Sequence, residues 1–184
     1  MRVILFAVTC FLSEIPLIQA QTPISPVQEF LEGNRKRYSS IDNPKAKGLE
    51  ISISYPSSWM AKAGERPNVA QKFVSEDGKG LEIAVLLVKE IPRDHEIIQS
   101  DIKELFEEAR LRELIPETAI FLSGRTTKID GLYGAITKYV LTQEQVGLTV
   151  VTIIEQYQFY YDYRIITLQF QVGNHLGSSF ARMK

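Results

Sequence analysis

Asp94, His95 and Glu96 follow one another between a strand-like and a helix-like stretch. They offer imidazole nitrogen and carboxylate oxygen, a ligand set that suits zinc or manganese. His175, the other histidine, could approach this loop from the C-terminal side. Three consecutive residues seldom point at one ion, so the competing reading is a solvated loop whose acids face the positive end of the following helix. Hydrolysis through a serine would draw its base from the same two histidines, and no Gly-x-Ser-x-Gly elbow occurs. The neighbouring acids Glu107 and Glu108 read as the polar face of a helix. The second cluster is aromatic: Tyr157, Phe159, Tyr160, Tyr161 and Tyr163 crowd a strand end and its turn. Tyr157 and Phe159 read as core. Tyr160 and Tyr161, at the turn, are candidates for a partner-binding patch, because tyrosine offers a large contact area at low entropic cost. Trp59 joins them as a third candidate; its other role is to seal the sheet end beside Pro56.

The elements that must position these residues are mostly strands. Leu49, Ile51, Ile53 and Tyr55 alternate with Glu50, Ser52 and Ser54, the period of two that sets one face on a core. Val69 to Ser75 and Leu81 to Val88 follow, separated by the turn signal Glu76-Asp77-Gly78-Lys79-Gly80. From Ile83 onward the second of these is apolar on both parities, which predicts a strand covered on both faces. Ile98, Ile102, Leu105, Phe106 and Ala109 lie at helical spacing, which predicts a helix over Ile98 to Leu114 with Ser100 or Asp101 at its N-cap. Ile120 to Lys128, Gly134 to Thr142, Leu148 to Phe159 and Tyr163 to Val172 then read as antiparallel strands joined by short turns. The expected fold class is α+β, a twisted antiparallel sheet with helices on its faces.

Residues 1–20 read as a secretory signal peptide: Met1-Arg2, an apolar run from Val3 to Leu12, and a cut after Ala20. That run is too short to span a bilayer, which takes about 20 apolar residues in a helix. Cys10, the only cysteine, lies inside it, and Ala7-Val8-Thr9 does not make a lipobox. Cleavage would leave no thiol, which excludes disulfides, thiolate metal sites and cysteine nucleophiles from the mature chain. Residues 21–48 read as a lead-in rich in Pro, Gly, Ser and Asn. Its basic residues Arg35, Lys36, Arg37, Lys45 and Lys47 read as a solvated linker, with a binding arm for anionic polymer or lipid headgroups as the alternative. Residues 49–184 make one domain. With 45% apolar and 23% charged residues the chain has the composition of a folded protein, and its net charge of -1 lacks the basic footprint of nucleic-acid binding.

Tyr55-Pro56-Ser57-Ser58-Trp59 closing a strand, Arg66-Pro67-Asn68 leading into Val69 to Val74, and Asp130-Gly131 before Gly134 to Thr142 resemble the PsbP-type α/β/α sandwich, which includes the DcrB-like exported bacterial proteins. The resemblance runs from about Leu49 to Val172. It implies a PsbP-like sandwich and leaves the job open, since members share a fold and not a function. Members usually finish with a full helix, whereas His175 to Lys184 is short and contains Gly177.

The expectation is therefore an exported, non-enzymatic binding or accessory protein of the bacterial envelope. It would be periplasmic or secreted, soluble after cleavage, without cofactor or nucleic acid, and its partner would be another envelope protein. The alternative is a metal-dependent or hydrolytic envelope enzyme using Asp94, His95 and Glu96.

Overall fold

The computed structural model describes residues 33–94, 96–145 and 148–174. The signal-peptide reading, residues 21–32 of the lead-in, His95 and the terminal segment with His175 lie outside them. The described residues form nine strands, most of them built on alternating apolar residues: β1 (Arg35–Ser39), β2 (Ser52–Pro56), β3 (Met60–Ala63), β4 (Val69–Val74), β5 (Glu82–Glu90), β6 (Ile120–Ile129), β7 (Leu132–Gln145), β8 (Leu148–Tyr161) and β9 (Arg164–Asn174). Seven form one sheet in the order β3-β4-β5-β9-β8-β7-β6, and β1 and β2 form a separate antiparallel pair. Thus a strand from the segment read as lead-in pairs with the first strand recognised in the sequence.

Directly paired residues share a face of a sheet, so the register sorts the core. Ala84 pairs with Phe170, Leu86 with Leu168 and Val88 with Ile166. On this front face Leu86, Val88, Ile166 and Ala70 pack with Ala46, Leu49 and Ile51 and with Tyr38 and Ile53 of the β1–β2 pair. Nearer the β3 edge of that face, Trp59 and Phe73 pack with Ala84 and Tyr55. The expectation that β5 is covered on both sides holds at its centre, where Val85 on the back is buried as well.

The back face is closed differently. A helix α2 (Gln99–Leu105) and a 3-10 helix (Glu108–Leu114) lie over β6 and β7; the other α-helical turn, α1 (Ser75–Gly78), links β4 to β5. At the start of α2 the Ile98 backbone N–H donates to Asp101 Oδ2 at 3.1 Å, so Asp101 caps from inside the first turn. Phe106 and Leu111 are 2% and 0% exposed and share a cluster with Ala135. In a continuous α-helix, residues five apart point about 140° away from each other. The chain breaks at Glu107, which is extended (φ -65°, ψ 143°), and both side chains reach the sheet. Ala109, expected on the buried stripe, is exposed.

This overturns the α+β expectation. Among the described residues the protein is mostly β, with about 56% in strands against 14% in helices, and no helix-rich α+β sandwich is formed. The predicted helix over Ile98 to Leu114 splits into two short pieces, and a strand pair rather than a helix covers the front face. No helix among the described residues is long and apolar enough to cross a membrane.

Candidate functional site

β1 and β2 cover only part of the front face. The remainder is a groove of about 740 Å3, walled on one side by Leu49, Ile51 and Ile53 and on the other by Ile129, Asp130 and Leu132 of the β6–β7 hairpin. That volume lies within the roughly 300–1,000 Å3 that ligand sites span. Its floor alternates along two paired strands: Tyr157, Phe159 and Tyr161 on β8, and Arg164, Ile166 and Leu168 on β9.

The polar end of the groove is built by the β8–β9 turn. Asp162 and Tyr163 both have positive φ, 43° and 57°, the conformation of a two-residue hairpin whose twist suits the flanking strands. A tyrosine in this region is strained, and its surroundings hold it there. The Tyr163 N–H donates to Tyr160 Oη at 3.0 Å, its carbonyl accepts from the Ile91 N–H at 2.8 Å, and Arg93 lies 5.1 Å above its ring. Arg164 donates through Nη1 to the Asp162 carbonyl at 2.8 Å and also to the Asp162 carboxylate. Its side chain is 14% exposed, and its buried Nε–H finds no acceptor among the described residues. Asp130 and Glu50 add negative charge to the rim, while Asp162 already balances Arg164. The groove is therefore an apolar trough with an acidic rim.

Tyr157 donates to Glu155 Oε1 at 2.7 Å, and its ring meets Phe170 edge-on at 5.9 Å. Burial, and then the Glu155 carboxylate, push its phenol up to about 12. It is a neutral hydrogen-bonding side chain at any physiological pH and no general base.

Of the residues expected to meet a partner, Tyr161 lines the groove and is 50% exposed. Tyr160, its neighbour on a strand, points to the back face, where it packs in the cluster around Phe106 and Leu111. Trp59 is 9% exposed against Phe73 and Ala84 and seals the sheet end. Tyr157 and Phe159, expected in the core, are partly exposed and line the groove. Arg164 had no expected role; its shared parity with Ile166 and Leu168 was the available signal. Asp94 and Glu96 are exposed, with His95 outside the described residues. Among the described residues, no three acidic, histidine or cysteine side chains converge as for a metal ion.

A second feature lies on the back face, where α2 meets the β6–β7 hairpin. Tyr133 is paired across the ladder with Lys128. The Lys128 ammonium stands 4.5 Å from its ring centroid, and Lys103 of α2 stands 5.2 Å away. Lys128, as a hydrogen-bond donor, does most to hold the Tyr133 phenol below the ordinary tyrosine value, and Lys103 adds to this.

No family model matches the chain, and no curated protein matches it in sequence. Among solved structures it is similar to cyanobacterial PsbP from Synechocystis, at 17% identity and a TM-score of 0.44, over 75% of this chain and 79% of that one. It is also similar to the Ran-binding protein Mog1p of Saccharomyces cerevisiae, at 12% identity and a TM-score of 0.46, over 81% of both chains. These likenesses show no family membership, and no role is taken from them.

Proposed function

We propose that this chain is an exported, non-enzymatic binding or accessory protein of the bacterial envelope, and that its front groove receives a segment of a partner protein bearing apolar side chains and a basic residue. One observation carries the reading: Tyr157, Phe159 and Tyr161 run side by side along an open trough whose rim holds Glu50 and Asp130, while Asp162 pairs with Arg164 and Arg93. Aromatic rows supply contact area at little entropic cost, and an acidic rim selects a basic partner. The export reading rests on the first twenty residues.

The test is affinity isolation of the tagged, full-length gene product from the envelope fraction of its own cells. A partner retained by the native protein should be lost from Tyr161→Ser and reduced, in a salt-dependent way, in Glu50→Gln/Asp130→Asn. Recovery of the protein in the cytosol, or a partner equally retained by all three proteins, would contradict the proposal.

A further inference from the structure

We propose that Lys103, Lys128, Tyr133 and Thr126 form a second site, separate from the front groove, that binds a phosphate group. The four residues line a concavity of about 400 Å3 on the back face, with Phe106, Gly134 and Thr127 completing its wall. Two independent elements bring positive charge to it: α2 supplies Lys103, and the cross-strand pair of the β6–β7 hairpin places Lys128 against Tyr133.

Two of the acids nearby are engaged elsewhere, and Glu107, after Phe106, is exposed. Glu104, next to Lys103, pairs with Arg110 at 2.7 Å, and Asp101 accepts the Ile98 N–H at the start of α2. Asp130, at the tip of the same hairpin, lines the front groove. Arg125, the remaining cation of β6, pairs across with Ile136 and lies on the front. Among the described residues, then, two ammonium groups stand over one phenol, and no carboxylate lines the concavity. The ammonium groups lie 5.2 and 4.5 Å from the centroid of the same Tyr133 ring, and a dianion bound beside that ring can accept charge-assisted hydrogen bonds from both and offset their mutual repulsion. The Tyr133 and Thr126 hydroxyls can donate to further phosphate oxygens. Both lysines are exposed, so water competes and the expected dissociation constant is about 1 mM, the range of a weak ligand.

The experiment is an amide-resolved NMR titration of the whole protein with inorganic phosphate, with phenyl phosphate, and with sodium chloride at matched ionic strength. Saturable shifts over residues 103 and 126–134 are expected with at least one phosphate and not with chloride. Tighter binding of phenyl phosphate would assign the site to a phosphomonoester, and equal binding to the free ion. Lys103→Gln/Lys128→Gln changes only exposed side chains, should keep the remaining amide spectrum, and should lose the response at least tenfold. Ultraviolet titration supplies a second readout: the low Tyr133 phenol pKa should rise when phosphate is added, and return to the ordinary value in the double variant without it. Shifts equal to those from chloride, or a phosphate response unchanged in the double variant, would overturn the proposal.

Discussion

Tyr160 and Tyr161 are neighbours in sequence with opposite duties. Because β8 runs through Tyr161, one ring faces the back cluster and the other the groove. The hydroxyl of Tyr160 accepts the N–H of the strained Tyr163. Tyr160→Phe should therefore cost about 1 kcal/mol in urea unfolding and leave partner binding unchanged. Tyr161→Ala should change stability by less than about 0.5 kcal/mol, yet weaken partner binding by about 2 kcal/mol, as truncation of an anchoring tyrosine does. The opposite orientation was legible in the alternation of a strand. Reading the two as turn residues hid it, since nothing in Tyr160-Tyr161-Asp162 breaks a strand and the turn proper is only Asp162-Tyr163.

At the level of elements, the long strands announced themselves because a half-buried strand needs period two and a buried one needs apolar runs. Asp130-Gly131 adopts the expected hairpin turn, with φ of 50° and 83°. β1 and β3 gave no such signal: Arg35–Ser39 is mostly charged, and Met60–Ala63 is an exposed four-residue edge. The helix was overextended because periodicity cannot register that Phe106 and Leu111 both anchor to the sheet. One glycine has a definite structural task in the central pairing. A Cβ at Gly134 would stand 2.3 Å from the Gln158 carbonyl oxygen of β8. Gly134→Ala should force β7 and β8 apart and cost about 1–3 kcal/mol, read as a lower urea midpoint.

Across the whole molecule, one sheet carries two unlike faces. The back holds a buried polar chain in which Gln169 Nε2 donates to Tyr139 Oη at 3.2 Å and Tyr139 donates to Gln156 Oε1 at 3.3 Å. Gln156 in turn donates to the Leu114 carbonyl at 3.1 Å, tying the 3-10 helix to the sheet. Burial pushes the Tyr139 phenol up to about 12. In the unfolded chain it titrates near 10, so the native state holds its proton more tightly. Its contribution is complete below about pH 10 and is lost as pH rises towards about 12. Denaturation followed across that window should show falling stability, and Tyr139→Phe should flatten the fall while costing about 1 kcal/mol at neutral pH. The front face is the part sequence could not locate. Its lining residues share a legible parity, but which of them stay uncovered depends on where the β1–β2 pair comes to rest.

The central claim is that the uncovered front face docks a partner, and site-specific photo-crosslinking in living cells tests it most directly. A photoreactive residue at position 161 should give one discrete adduct that disappears in the Glu50→Gln/Asp130→Asn background, while the same residue at position 143 on the back face should give none. Identical adducts from both positions, or no adduct from 161, would contradict it.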